Sequence, residues 1–318
     1  MHRYGLALVL LLAGAAAEAA PAGQPHRVGY LAVHGPASSG SPGLDALRRA
    51  LAALGHVEGR TVVFEARHAE GREDRVPELL GDLLRHEPDA IVAEPATPAL
   101  ARVPRTVPIV TIGGDLLGTR LVASLVRPGG NVTGVQFVDA ELAPARLDLL
   151  KKLAPDLRRV AVVTDWDTAA SELKPMGPTA NNLGVYAEAF MVRKPEDLAE
   201  VFDQIGKKHF NGLLVVGGPL LAALRPQLLA LTLTQRLPAI GPTGFAEAGG
   251  TLAYGPPPAE IYRPAAALLH RILEGAKPRD LAAERPSRFE LVINARAARD
   301  LGLTVPASLR RRSGRVIE

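Results

Sequence analysis

The stretch Leu125 to Phe137, "LVRPGGNVTGVQF", joins a sharp turn to a segment typical of a β-strand. Proline at 128 has a fixed φ and disfavours helix at the preceding residue, and the two glycines that follow it permit a positive φ. The pattern predicts that a helix-like run ends here. We therefore expect the turn at Pro128 to Asn131 to end the last helix of one α/β unit, and "NVTGVQF" to lead the chain toward a second unit.

Before this turn, short apolar runs alternate with runs of helical spacing. The strand-like runs are "RVGYLAV" from Arg27, "RTVVFEARHAE" from Arg60, "DAIVAE" from Asp89 and "VPIVTIGG" from Val107. Between them, "LDALRRALAALG" and "RVPELLGDLLRHEP" repeat apolar residues every three or four positions, and "TPALARV" predicts a short helix. Alternation of this kind, with nearly continuous apolar strands, indicates an α/β fold with a parallel sheet covered by helices on both faces.

The same order of elements recurs after the turn. The second set of strand-like runs is "RRVAVVTD" from Arg158, "VYAEAFMV" from Val185, "NGLLVVGG" from Asn211 and "LPAIGPTG" from Leu237. This repeat predicts two Rossmann-like lobes. The C-terminal segments are too few for a third domain, so we expect them to recross and complete both lobes through a three-strand hinge. The predicted division is 26–137 with about 256–284 for lobe one, and 138–255 with about 285–318 for lobe two.

The N-terminus has the composition of a secretory signal peptide. Two residues, His2 and Arg3, precede an apolar run from Leu6 to Leu12, and small residues follow as far as Ala19. The apolar run is shorter than the roughly 20 residues of a membrane-spanning helix, which is the alternative. We predict that residues 1–19 are cleaved. The sequence contains no cysteine, which excludes disulfides, thiolate metal sites, a cysteine nucleophile and a lipidated cysteine anchor. A free periplasmic protein fits these features.

Charge and motifs favour binding over catalysis. The net charge is only +4, and we interpret the arginine-rich stretch from Leu309 to Arg315 as a solvated C-terminus, so no nucleic-acid partner is expected. The sequence contains no phosphate loop, no dinucleotide fingerprint, no H-E-x-x-H and no G-x-S-x-G. The eight histidines are dispersed without metal-ligand spacing. We predict no catalytic residue, no metal and no cofactor.

Residues in the loops that follow the predicted strands are the candidate ligand-binding residues. Open α/β sheets bind ligands at the carboxyl ends of their strands, where helix N-termini offer unpaired N–H groups. The candidates are Ser39, Ser41, Thr97 and Asp115 in lobe one, and Thr164, Asp165, Trp166, Gly218 and Thr243 in lobe two. Capping of a following helix is the alternative role of Thr97 and Asp115. Packing between lobes is the alternative role of Trp166, the only tryptophan.

Several longer segments resemble a known family. "LGHVEGRTVVFEAR", "HAEGREDRVPELLGDLL", "VASLVRPGGNVTGVQF", "ELAPARLDLLKKLAPDLRRVAVV", "FAEAGGTLAYG" and "RFELVINARAARDLGLTVPASLRRR" are similar, in order, to solute-binding proteins of ABC transporters of the tryptophan/tyrosine type. The resemblance implies a type I periplasmic-binding-protein fold, with two lobes joined by a three-strand hinge. It also implies delivery of a small molecule, in some members an aromatic amino acid, to an ABC permease in the inner membrane. We expect the protein to be a monomer.

The resemblance carries over to lobe one more fully than to lobe two. The family's first-loop pattern matches Ser39-Gly40-Ser41, its helix start matches Thr97-Pro98-Ala99, and its Gly-Gly-Asp matches Gly113-Gly114-Asp115. Lobe two departs from the family pattern, with "TDWDTAASE" after its first strand and Gly217-Gly218-Pro219 after its third. Two other functions stay open: a periplasmic ligand sensor for a membrane receptor, and a two-domain α/β enzyme without a recognisable motif.

Overall fold

A computed structural model describes residues 24–33, 41–165 and 174–318 of the chain. The predicted signal peptide and two of the candidate ligand-binding residues, Ser39 and Trp166, lie outside these residues. Within them, no helix is long and apolar enough to cross a membrane.

The described strands form two sheets. Sheet one has the order β2-β1-β3-β4-β5, and all of its strands are parallel. Sheet two has the order β12-β11-β10-β9-β8-β6-β7, and its one antiparallel pair is β10 with β11. The strands are β1 (His26–Ala32), β2 (Val62–His68), β3 (Ala90–Glu94), β4 (Ile109–Ile112), β5 (Val132–Val135), β6 (Arg159–Thr164), β7 (Tyr186–Met191), β8 (Gly212–Val215), β9 (Ala239–Gly241), β10 (Leu252–Gly255), β11 (Glu290–Asn294) and β12 (Arg315–Ile317).

Helices connect most of the strands. They are α1 (Pro42–Ala52), α2 (Val76–Arg85), α3 (Ala143–Leu153), α4 (Met176–Asn182), α5 (Asp197–Lys207), α6 (Pro219–Ala223), α7 (Arg225–Thr234), α8 (Pro258–Leu273), α9 (Ala295–Asp300) and α10 (Ala307–Arg312). Short 3₁₀ segments add Glu73–Arg75, Pro98–Arg102, Asp139–Leu142 and Pro278–Asp280. The two-sheet α/β architecture predicted from the sequence is confirmed.

Each sheet is buried on both faces, which explains its nearly continuous apolar strands. One face of sheet one packs against α1 and α8, and the other packs against α2 and the 3₁₀ segment Pro98–Arg102. Sheet two likewise has one core that includes α3 and α4 and a second that includes α5 and α7. Burial on both faces removes the alternation of polar and apolar residues that a sheet exposed on one side would show.

The C-terminal third of the chain contributes to both sheets. Helix α8 follows β10 of sheet two, yet its apolar face packs on sheet one through residues such as Ala266 and Leu269. The chain then returns to sheet two as β11, α9, α10 and β12. It therefore passes between the sheets three times, after β5, after β10 and before β11. We call these passages crossings one, two and three.

Two local expectations are wrong. No helix leads directly into the turn at Pro128. Instead, the carboxylate of Asp115 starts a single helical turn, and Arg120, in the left-handed region at φ 57°, ends it. The C-terminal arginine-rich stretch is also more than a solvated tail. Its arginine side chains are exposed, but Leu309 is buried and the backbone adds β12 to the edge of sheet two.

Candidate functional site

The carboxyl ends of both sheets meet at crossing one. After β4, the backbone N–H of Gly114 donates to the carbonyl of Phe137 at 2.9 Å. After β8, the backbone N–H of Gly217 donates to the Asp139 carboxylate at 2.7 Å. One short segment, 137–139, therefore contacts a strand-end loop of each sheet. The loops in which open α/β sheets bind ligands are brought together at this junction.

In lobe one, the loops after β3 and β4 pack against each other. The backbone N–H of Ala96 donates to the Gly113 carbonyl at 3.0 Å, and a Cβ atom at Gly114 would lie within 2.9 Å of the Ala96 side chain. Gly114 also has a φ of +85°, which favours glycine. This contact places the segments that carry Thr97 and Asp115 side by side.

The predicted lobe-one residues differ in what their side chains already bind. Thr97 is 5% exposed and precedes the 3₁₀ segment Pro98–Arg102, but its side chain makes no cap hydrogen bond. Asp115 is exposed, and its carboxylate accepts the backbone N–H groups of Leu117 and Gly118 at 3.1 and 2.9 Å, so it has the capping role that was its alternative. Ser41 makes no cap bond to α1, and its side chain hydrogen-bonds Tyr30.

In lobe two, Asp165 is the candidate residue whose carboxyl pKa is shifted by burial. It follows β6 directly, and one carboxylate oxygen accepts the backbone N–H of Leu221 in α6 at 2.9 Å. The other oxygen, Oδ1, is buried without a hydrogen-bond partner among the described residues. Burial raises the pKa of Asp165 to about 6, and the backbone N–H groups of Leu221 and Leu220 oppose that shift only in part.

The remaining lobe-two candidates adjoin Asp165 or crossing two. Thr164 is the buried last residue of β6. Gly218 is the extended residue immediately before α6, the helix that Asp165 contacts. Thr243 follows β9, and its hydroxyl donates to the carbonyl of Pro256 in crossing two at 3.0 Å. Thr164, Asp165 and Gly218 therefore lie near one another, and Thr243 is hydrogen-bonded to crossing two.

Sequence reasoning missed a polar cluster at the end of β3. The Glu94 carboxylate accepts the hydroxyl hydrogens of Tyr30 and of Tyr262, the latter at 2.6 Å. Burial raises the pKa of Glu94, and the two tyrosine hydrogen bonds oppose that shift. A Cβ atom at Gly43 would clash with all three side chains. The sequence feature that could have indicated this cluster is the glutamate at the end of an otherwise apolar strand, "AIVAE".

A buried ion pair at crossing one was also missed. The Arg146 side chain is fully buried, and its two terminal nitrogens donate to the two oxygens of Asp139, each at 2.6 Å. The same guanidinium donates to the carbonyl of Tyr254 at 2.7 and 2.9 Å. Since Tyr254 leads into crossing two, this arginine connects two crossings and, through Asp139, the backbone of Gly217.

Gln136, in crossing one, has a buried side-chain oxygen without a hydrogen-bond partner among the described residues. Its side chain is 4% exposed, and the oxygen without a partner is Oε1. Its backbone N–H donates to the carbonyl of Glu284 at 2.8 Å, which joins crossing one to crossing three. Nothing in the sequence around this glutamine distinguishes it from an ordinary strand-end residue.

Comparison with solved structures shows that this two-sheet architecture is a known one. The chain resembles a Streptococcus pneumonia structure described as the ABC domain in complex with L-Trp, with 24% identity, a TM-score of 0.81, and 92% of this chain and 100% of that chain covered. A conserved domain protein from Vibrio cholerae matches with 24% identity, a TM-score of 0.82 and the same coverage. A ligand-free, open substrate binding protein from Clostridium difficile matches with 19% identity and a TM-score of 0.65, covering 92% and 99%.

These structural matches, all below 25% identity, establish the fold. A search of curated proteins finds no match. The family model described as "ABC transporter substrate binding protein" matches residues 36–317, which is most of the chain. This family consists of solute-binding proteins and is not an enzyme class. The two facing strand-end edges, the three crossings and this match lead to one conclusion: the chain belongs to the family of ABC transporter substrate binding proteins.

Proposed function

We propose that the protein is the periplasmic solute-binding component of an ABC-type importer, and that it holds one small molecule between its two lobes. The observation that carries the proposal is the meeting of both carboxyl edges at crossing one, where Phe137 and Asp139 contact a loop from each sheet. Lobe one comprises residues 26–137 with about 256–284, and lobe two comprises residues 138–255 with about 285–318. Residues 1–19 act as a cleaved signal peptide, since a basic start, an apolar run and small residues follow in order.

The ligand lies against the strand-end loops of both lobes. In lobe one it contacts Ser39, Ser41, Thr97 and Asp115, and in lobe two it contacts Thr164, Asp165, Trp166, Gly218 and Thr243. The hydroxyl of Thr97 supports this assignment, because it is not used as a helix cap. For Asp115 and Thr243, which already make intramolecular bonds, the ligand has to share or replace those bonds.

An amino acid is the class of ligand that these loops favour. Two buried acceptors near crossing one, Oδ1 of Asp165 and Oε1 of Gln136, have no hydrogen-bond partner among the described residues. A buried acceptor without a partner loses free energy, and a ligand ammonium group would supply the missing N–H donors. The solved relative from Streptococcus pneumonia that contains L-Trp also supports an amino acid.

Binding drives closure about the hinge. The ligand contacts both edges only when the lobes approach, so it favours the closed state. To move an equilibrium from 1:99 to 99:1, its free energy of binding must favour the closed state by about 5.5 kcal/mol. The closed, loaded protein then differs in shape from the empty one, and the ABC permease distinguishes the two. The solute leaves unchanged, and the protein acts as a monomer without a nucleic-acid partner.

A thermal-shift screen tests this function. The purified protein is heated with single amino acids, small carboxylates, nucleosides or sugars. A solute present at 100 times its dissociation constant should raise the free energy of unfolding by about 2.7 kcal/mol. Amino acids should give the hits, and stabilisation by sugars alone would contradict the proposed ligand class. Emission from Trp166, the only tryptophan, should change with the same solute. A stabilising solute that leaves the emission unaltered would remove Trp166 from the site.

A further inference from the structure

A cluster of imidazoles lies at the edge of sheet one opposite to the strand-end loops. His26 is the first residue of β1, His56 follows α1, and His270 lies in the last turn of α8, with Glu274 directly after that helix. Within the described ranges of the chain, ligand atoms of His56, His270 and Glu274 all lie within 4.8 Å of one another. The dispersed histidines of the sequence are therefore brought together, two of them from positions 214 residues apart.

The fold holds these side chains in place before any ligand arrives. Helices α1 and α8 pack against each other through their apolar faces, with Leu51 and Leu269 in the shared core. The backbone N–H of His56 donates to the Leu51 carbonyl at 3.0 Å, and that of Glu274 donates to the His270 carbonyl at 3.0 Å. His270 and Glu274 are four residues apart, so they lie on one face of the helical backbone.

The two nearest imidazoles present ring nitrogens to each other. Nε2 of His56 lies 2.9 Å from Nδ1 of His270, so one of the two carries a proton when no cation is present. A neutral imidazole nitrogen with its lone pair free is the form that binds metal ions.

We propose that His56 Nε2, His270 Nδ1 and the Glu274 carboxylate form a binding site for one transition-metal cation of the Zn²⁺ type. Zinc–nitrogen bonds of about 2.0–2.1 Å in tetrahedral geometry place two nitrogens roughly 3.4 Å apart. The two rings therefore need to separate by only about half an ångström. Imidazole suits Zn²⁺, Cu²⁺ and Ni²⁺ better than Ca²⁺ or Mg²⁺. Two histidines and one glutamate leave a fourth position for water.

The position and exposure of the site indicate how an ion reaches it and which part of the protein it stabilises. His56 is 7% exposed, His270 is partly exposed and Glu274 is exposed, so an ion has a path from solvent. The bound ion joins the end of α1 to the end of α8, both of which pack on sheet one. It lies at the amino-terminal edge of that sheet, whereas the proposed ligand lies at the carboxyl edge. We therefore expect the metal to stabilise lobe one without competing for the solute site, and this inference is independent of the proposed function.

Zinc titration of the chelator-stripped protein, purified without a polyhistidine tag, tests the site. Isothermal titration calorimetry should give one Zn²⁺ per chain, and Zn²⁺ at 100 times its dissociation constant should raise Tm by roughly 5 °C. The His270→Ala variant should bind at least about tenfold more weakly, because it removes one of three protein ligands. The His209→Asn variant removes a histidine of lobe two and should bind like the wild type.

Two further measurements keep the proposal testable if His270→Ala folds poorly. Glu274 is exposed, so Glu274→Gln should fold normally, and it should weaken Zn²⁺ binding severalfold. Co²⁺ added to the wild type should give the visible absorption of a tetrahedral site, which Glu274→Gln should alter. Equal Zn²⁺ binding by the wild type, His270→Ala and Glu274→Gln would overturn the proposal, as would the absence of stoichiometric binding. The two histidines would then form a hydrogen bond only.

Discussion

Two aspartates near the facing edges of the sheets differ in how their carboxylate oxygens are bonded. Both oxygens of Asp139 accept from Arg146, and one also accepts the backbone N–H of Gly217. Asp165 has one oxygen on the backbone of Leu221 and one buried oxygen without a partner in the described chain. A buried carboxylate with every oxygen bonded fixes a structure, and one with an oxygen left over can bind a further donor. We therefore interpret Asp139 as part of the hinge and Asp165 as part of the ligand site.

The largest expected effect comes from Asp139→Asn. This variant leaves the fully buried guanidinium of Arg146 without a counter-charge, which costs about 3–5 kcal/mol. Urea unfolding measures the loss. The matched control is Asp148→Asn in α3, which removes the partially exposed pair of Asp148 with Lys152 and should cost less than about 0.5 kcal/mol. Equal losses in the two variants would mean that Arg146 does not depend on Asp139.

Substitution of Asp165 should act on ligand binding. If the ligand ammonium bonds to Oδ1, Asp165→Asn removes a charged hydrogen bond and should weaken binding about 10- to 100-fold. Calorimetry with a solute identified by the thermal-shift screen measures this change. The control is Asp203→Asn, which removes an exposed ion pair with Lys207 in the same lobe and should leave affinity unaltered. Unchanged affinity in Asp165→Asn would place the ligand elsewhere.

The same variant should change how stability depends on pH. Burial raises the pKa of Asp165 from 3.8 to about 6, so the folded protein favours the protonated carboxyl. That stabilisation is present below pH 3.8 and is lost as the pH rises through about 6. Asparagine does not ionise, so the variant does not lose this stabilisation. Its free energy of unfolding, relative to that of the wild type, should therefore rise by about 2 kcal/mol between pH 4 and pH 7. Urea unfolding at several pH values tests this, and a difference that is independent of pH would contradict the raised pKa.

A smaller loss of stability is expected from Tyr262→Phe. The variant removes the hydroxyl that donates to Glu94 at 2.6 Å and leaves the buried carboxyl with Tyr30 as its remaining phenol donor. The expected cost is about 1–2 kcal/mol in urea unfolding. Tyr186→Phe is the matched control, because Tyr186 is 52% exposed where it bonds to Glu188. A loss no larger than that of the control would show that Tyr30 alone satisfies the carboxyl.

The sequence predicted the two-sheet fold because local patterns determine it. Strands buried on both faces are continuous apolar runs, as in β3 and β8, and glycines and prolines mark their ends. The helix expected before Pro128 is absent. The single helical turn after Asp115 ends at Arg120, whose left-handed conformation the sequence does not signal. The edge strand β12 was missed since three residues among arginines carry too little periodicity.

Contacts between distant residues explain what could not be predicted about the site. The loops that carry Thr97 and Asp165 could be predicted, because each comes directly after a predicted strand. The pairing of Asp139 with Gly217 joins residues 78 positions apart, and that of His56 with His270 joins residues 214 positions apart. The spacing of residues along one sequence does not predict pairs this far apart. The sequence alone therefore separates neither the hinge aspartate from the site aspartate nor a dispersed histidine from a clustered one.

Small-angle X-ray scattering with and without a stabilising solute tests the central claim most directly. We expect the radius of gyration to decrease when the solute saturates the protein, because the two strand-end edges close on it about the three crossings. A solute that stabilises the fold at saturation but leaves the radius of gyration unaltered would contradict binding by closure between the lobes.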